Sequence, residues 1–169
     1  MKPNKILRNI LILLILLSSI GCDQVSKNIV RHNIEFNQKI VVIDNFMTIT
    51  KIENAGAFLS LGQHLPRIIY KLIFVLIPFL ALSFGLYYLL RHNSLPKSIS
   101  LGICLVISGG LGNLIDRILY GSVTDFLYFN FGIFHTGIVN IADIAITTGF
   151  IILFIKILLS QNKLVQRTV

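Results

Sequence analysis

Four stretches of the chain are apolar on every side over the length that a bilayer demands, and polar residues are crowded into the segments between them. The apolar stretches run from about Ile6 to Cys22, Ile68–Leu90, Ser98–Leu119 and about Ile138–Leu159. Each is long enough to be read as a membrane-spanning helix. Pro78 falls inside the second and is expected to kink it, because its ring displaces the carbonyl one turn earlier. The connections differ in size: long from about Asp23 to Arg67, very short at Arg91–Lys97, and medium from about Tyr120 to Gly137. Within the long one, Ile40–Ile43 and Phe46–Ile52 are rich in Val, Ile and Thr, with Asp44-Asn45 between them as a tight turn. That pattern predicts a small hairpin lying on the membrane surface. The medium connection carries Phe126, Tyr128, Phe129, Phe131 and Phe134. Such rings suit the headgroup zone, as an interfacial loop or helix that anchors there or as a lid over a site at the same depth. The expected architecture is an all-α membrane protein of four transmembrane helices with a small β-hairpin, and residues 1–169 form a single membrane domain.

Composition agrees with this pattern. Of 169 residues, 54% are hydrophobic and only 13% charged, which excludes an ordinary soluble domain. The net charge of +8 invites a nucleic-acid partner until the charges are placed. Lys2, Lys5 and Arg8 precede the first span, Arg91 and Lys97 sit in the short loop, and Lys156, Lys163 and Arg167 end the chain. These segments contain no acid. All seven acids, Asp23, Glu35, Asp44, Glu53, Asp116, Asp125 and Asp143, fall on the other side or at its rim. The positive-inside rule then places both termini and the short loop in the cytoplasm. The excess charge is a topology signal, and no nucleic acid is expected. Cys22 and Cys104 lie in or beside apolar helices, and His32, His64, His92 and His135 are scattered. Neither set has the spacing of a metal site or a disulfide framework, so no metal and no cofactor is expected.

The candidate chemistry lies in the acids of that other side. Asp125 and Asp143 flank the connection between the third and fourth spans. Two carboxylates held close cannot both ionise freely, so one holds a proton while the other acts as a base. Asn140-Ile-Ala-Asp143 places Asn140 and Asp143 on one helical face, where an acid in the first turn also complements the helix dipole. Gly109-Gly-Leu-Gly-Asn-Leu-Ile-Asp-Arg117 combines glycines that permit close helix packing with Asn113, Asp116 and Arg117 within about a turn of one another. Polar groups so near a bilayer must find partners, either in function or in an Asp–Arg clamp between helices. Asp23 and Lys27, four apart, can pair and fix a helix end. Asn54-Ala-Gly56-Ala57 joins the hairpin to the next helix through a turn that Gly56 permits. Ser26 and Lys27 are adjacent and point apart on a helix, and no Ser–His–Asp arrangement stands out, so serine chemistry fits poorly.

Taken in order, Asp23-Gln-x-x-Lys27, Asn54-x-Gly-Ala57, Gly109-x-x-Gly-Asn-x-x-Asp-Arg117, Val123-x-Asp-Phe126 and Asn140-x-Ala-Asp143 resemble the lipoprotein signal peptidase (signal peptidase II) family, membrane aspartyl proteases of bacteria. The resemblance covers almost the whole chain. It implies that Asp125 and Asp143 are the catalytic dyad, and that Asn54, Asn113, Arg117 and Asn140 position substrate or brace the dyad. It also implies that Asp23, Lys27, Gly56, Ala57, Gly109, Gly112 and Asp116 shape the site. The hairpin would form a cradle and the second outer loop would close over the substrate. Diacylglyceryl-modified prolipoproteins would be the substrates, cut just before the lipidated cysteine, by a monomer in the cytoplasmic membrane among membrane lipids, with its site at the outer face. The chain departs from the family's commonest pattern at Phe58 and Leu59, and at Val139, each an apolar exchange that bears on pocket shape.

Three rival readings remain at this level, one of them a purely structural membrane protein, which composition allows but which leaves the Asn and Asp placements unexplained. Lys2, Lys5 and Arg8, the apolar Ile10–Leu17 and Gly21-Cys22 form an imperfect lipoprotein signal, with Ser19 where Leu is usual. Acids near spans also mark ion paths, though here they gather at one rim instead of crossing the bilayer.

Overall fold

The first helix continues well past its apolar stretch. In the computed structural model, which describes residues 5–56, 61–62 and 64–165 (backbone only for 161–165), α1 spans Lys5–Asn33. The sequence places a loop from Asp23 onward, because hydropathy falls there. The helix persists because Asp23, Lys27 and Arg31 stand one turn apart along a single face and are matched by partners inside the bundle. The second span, α2, covers Arg67–Arg91 and is wound as a π-helix over Leu72–Leu76 before Pro78. That widened turn accommodates a residue with no N–H to donate and a ring that crowds the preceding turn. α3 is Lys97–Leu119 and α4 is Ile141–Val165, so the fourth helix starts slightly later than hydropathy suggests.

The hairpin forms as the sequence implies: β1 (Lys39–Ile43) pairs antiparallel with β2 (Met47–Asn54). The turn between them is closed by Phe46 N–H donating to the Ile43 carbonyl, with Asn45 at φ 57°. A third strand joins them. β3 (Val123–Phe129) takes the first part of the aromatic connection and pairs antiparallel with β2, giving the sheet order β1-β2-β3. The rest of that connection is loop and turn, and it returns to β3 through Val139, which exchanges backbone hydrogen bonds with Leu127.

Apart from the central α3, the helices bury little of their own apolar surface. Side chains such as Leu13, Ile77, Phe84 and Phe154 stay exposed around the bundle, as expected where lipid is the solvent. One apolar cluster, Ile12, Leu16, Leu89, Cys104 and Ile107, fills the half away from the sheet. Ile12 and Leu16 thus belong to the core, and cleavage at Cys22 would remove them, which speaks against the segment before Cys22 being a disposable signal. A second cluster, Val30, Phe126 and Leu127, seats the sheet on the bundle.

The closest helix approach lies between α3 and α4. A Cβ at Gly109 would overlap the Ala142 carbonyl oxygen, and one at Gly112 would run into the Asp23 carboxylate. These two glycines let α3 lie directly against the first turn of α4 and against α1, which sets the position of every polar group described next.

Candidate active site

β3 enters the bundle by way of Gly121. Tyr120 N–H closes the last turn of α3 on the Asp116 carbonyl, and Gly121 at φ 79° turns the chain out of the helix. Residues 123–127 are then buried on both faces, between β2 and the helices. Val, Thr and aromatic residues suit such a strand. Its register sets Asp125 opposite Ile52. The Asp125 carboxylate accepts from Asn54 Nδ2 at 3.0 Å on one oxygen and from Asn140 Nδ2 at 2.7 Å on the other. Asn54 is fixed in turn by accepting from Gly56 N–H at 3.0 Å.

Asn140 and Asp143 form a reciprocal cap at the start of α4. Asp143 N–H donates to Asn140 Oδ1 at 2.9 Å, and Asn140 N–H donates to Asp143 Oδ2 at 3.1 Å. Asn113 Nδ2 donates to the other Asp143 oxygen at 2.8 Å. Asn140 is therefore bonded to both aspartates, and Asn113 completes the ring by accepting from Asn140 Nδ2 at 3.2 Å.

Beneath this ring lies a largely buried ionic cluster. Lys27 is fully buried, and its ammonium reaches Asp23 at 2.8 Å, Asp116 at 3.0 Å and Asn113 Oδ1 at 2.9 Å, which uses all three of its donors. Asp116 is shared with Arg31 at 2.9 Å. The second Asp23 oxygen accepts from Ala142 N–H in the first turn of α4 at 2.9 Å. Two carboxylates face two cations, so the cluster is electrically balanced, as a buried network must be.

Above the ring, a cleft of about 650 Å³ opens beside Asn54, Asn113, Arg117, Asp125 and Asp143. Its remaining walls are mostly apolar, among them Ile52, Pro78, Gly110, Val123 and Ile146. Burial pushes the Asp125 carboxyl up to about 6, and the neighbouring Asp143 charge adds to this against the opposing hydrogen bonds from Asn54 and Asn140. A half-buried carboxylate, Asp143, and a buried one that readily keeps its proton thus face one apolar cleft.

The chain as a whole is similar to known proteins. The family described as Signal peptidase (SPase) II matches residues 14–159. The chain belongs to the signal peptidase II family. The lipoprotein signal peptidase of Clostridioides difficile is 41% identical over 155 residues, covering 90% of this chain and 98% of that protein. That of Bacillus pumilus is 34% identical, covering 86% and 91%. A solved structure of a bacterial membrane enzyme aligns with a TM-score of 0.81 at 30% identity over 90% of each chain. As a signal peptidase II, the protein is an aspartic peptidase of a bacterial membrane, which it crosses several times, and its family removes signal peptides from prolipoproteins.

In this signal peptidase the structure gathers nearly all the residues that the sequence singles out. Asp125, Asp143, Asn54, Asn113, Asn140 and Arg117 line or brace the cleft, while Asp23, Lys27, Asp116, Gly109 and Gly112 lie beneath it. Arg117 donates to the Gly56 carbonyl at 2.9 Å and so holds the turn that carries Asn54. Ala57, Phe58 and Leu59 lie outside the described residues. Several residues around the site escape sequence reasoning. Arg31 pairs with Asp116 and donates to Thr124 Oγ1, and Thr124 Oγ1 donates to Glu53, which also accepts from Ser122. The missed signal was the four-residue spacing of Asp23, Lys27 and Arg31, hidden once Arg31 was assigned to a loop. Gln24, inside a quoted motif but given no role, donates to Asp116 at 3.1 Å.

The raised Asp125 carboxyl has a consequence for stability. The native group keeps its proton to about pH 6, whereas the unfolded one releases it near 3.8. The native state binds more protons at this group in that window, so the contribution of Asp125 to stability is greatest below about pH 4 and is lost as pH rises through about 6, by up to about 3 kcal/mol. Asp125→Asn lacks this slope. Melting of both proteins in detergent should show the variant gaining on the native enzyme from pH 4 to 7, and parallel curves would refute the shift.

Proposed function

We propose that this signal peptidase cuts diacylglyceryl-modified prolipoproteins just before the lipidated cysteine, using Asp125 and Asp143 as its dyad. The observation that carries this reading is the Asn140 bridge, which bonds both carboxylates at the rim of one apolar cleft. A water between the carboxylates loses a proton to the ionised Asp143 as its oxygen attacks the scissile carbonyl carbon. Asp125, carrying a proton, donates it to the carbonyl oxygen. The tetrahedral intermediate then collapses, the C–N bond breaks, and the proton held by Asp143 passes to the leaving cysteine amine. The hydroxyl proton returns to Asp125, and the signal peptide leaves with a new carboxyl. Asn54, Asn113 and Asn140 fix both carboxylates through bonds that carry no charge of their own. Arg117 and Gly56 hold the substrate side of the cleft, and Asp23, Lys27, Asp116, Gly109 and Gly112 set its floor.

The acyl chains of the substrate would lie among membrane lipids, which keeps the scissile bond at the depth of the sheet. Basic residues at the other ends of the helices favour both termini in the cytoplasm and the site at the outer face. One chain supplies every group in this scheme. The test is cleavage by purified protein in detergent of a lipidated prolipoprotein and of its unlipidated precursor. Cleavage of the lipidated form alone is expected, and equal cleavage of both would remove the lipid requirement.

A further inference from the structure

A second cleft, of about 580 Å³, lies beside the first at the same end of the bundle, between the start of α2 and the end of α3. Its walls include Arg67, Tyr70, Lys71, Val75, Arg117 and Tyr120. Three cations meet there, and among the described residues no acid lines it. Asp116 is committed to Lys27 and Arg31, and Glu53 to Ser122 and Thr124. Arg67 and Lys71 stand four apart on one helix face, an arrangement of like charges that costs stability unless an anion relieves it. The third cation, Arg117, uses one nitrogen on the Gly56 carbonyl, while its buried Nε has no hydrogen-bond partner among the described residues. The cleft is also built and held. Tyr70 Oη donates to the Gly121 carbonyl at 2.8 Å, tying α2 to the turn after α3, and the Arg31 guanidinium packs 4.0 Å from the centre of the Tyr120 ring. Val75 and Ile118 give it an apolar side toward the bilayer.

We propose that this cleft binds the phosphate of an anionic membrane phospholipid, with its headgroup among Arg67, Lys71 and Arg117 and its acyl chains running down α2. A diacylglyceryl group carries no phosphate, so this ligand is distinct from the lipid of the substrate. Arg117 walls both clefts, so a phosphate on its far side steadies the guanidinium that holds Gly56 and, through that turn, Asn54 on Asp125. The lipid is then a resident support of the active-site rim.

The test reads lipid retention and is independent of peptidase activity. The full chain is reconstituted in nanodiscs of phosphatidylcholine and phosphatidylglycerol, extracted into mild detergent, and weighed intact with its bound lipid. Retention of one phosphatidylglycerol in preference to phosphatidylcholine is expected. Arg67→Gln with Lys71→Gln should lower that retention by roughly tenfold or more, since each cation near an anionic headgroup contributes about a factor of five. All these side chains are exposed, so the variants should fold. Lys39→Gln, which removes an exposed cation on β1 away from the cleft, should change retention little. Equal losses in Lys39→Gln and Lys71→Gln would mean diffuse surface attraction and overturn the site, as would equal retention of the two lipids. Displacement of the lipid by millimolar glycerol phosphate would show a soluble phosphate ligand and overturn the lipid assignment.

Discussion

Asp143→Asn is expected to lower kcat on a lipidated prolipoprotein by about a thousandfold or more, with little change in KM. The asparagine is the same size and keeps the side-chain oxygen, so one of two bonds survives: acceptance from Asn113 Nδ2 or from Asn140 N–H. The amide then faces the other donor, and one hydrogen bond is lost at a cost of about 1 kcal/mol. That loss is small beside the kinetic effect, because an amide accepts no proton from water at any working pH. The apolar walls that hold substrate are untouched, which is why binding should persist while turnover fails. Single-turnover cleavage by a variant with native elution and melting checks the prediction. A folded Asp143→Asn protein with more than a tenth of native activity would remove Asp143 from the dyad.

The four spans, the hairpin and the pairing of Asp125 with Asp143 were legible in the sequence because each has a local cause. Continuous apolarity marks a span, Val/Ile/Thr runs around Asp44-Asn45 mark a hairpin, and Asn140 to Asp143 is one helical turn. What escaped depends on partners far away in the chain. β3 looked like an aromatic loop because a strand buried on both faces shows no alternation, and only its register against β2 reveals it. The extension of α1 to Asn33 escaped because hydropathy treats Asp23, Lys27 and Arg31 as reasons to leave the membrane. In the fold they are inward-facing residues whose charges cancel against α3. The second cleft escaped for a similar reason. Arg67 and Lys71 read as the boundary of a span, and nothing in their spacing announces that Arg117 comes to meet them.

Lys27→Met is expected to be the most destabilising single exchange on this surface of α1, by about 3–5 kcal/mol, because it strands a buried carboxylate without a counter-charge. In the native cluster Lys27 and Arg31 balance Asp23 and Asp116, and of the two cations only Lys27 is fully enclosed, as both carboxylates are. Methionine fills the space of the stem but leaves Arg31 facing two acids, one of which it does not touch. The melting temperature should fall by on the order of 10 °C. Turnover should also drop, by about a hundredfold at most, because Asn113 loses one of the two donors to its oxygen and keeps Asn140 Nδ2, while its amide still reaches Asp143. Lys27→Arg should not rescue, since a planar fork cannot replace a compact ammonium whose three donors converge on three different residues. The decisive comparison is the double exchange Asp23→Asn with Lys27→Met. It removes one charge of each sign, restores neutrality, and leaves an amide oxygen at position 23 to accept from Ala142 N–H at the start of α4. The double variant should melt above Lys27→Met, recovering about 1–2 kcal/mol. A double variant less stable than the single one would mean that packing, and not charge balance, sets the demand for lysine at this position.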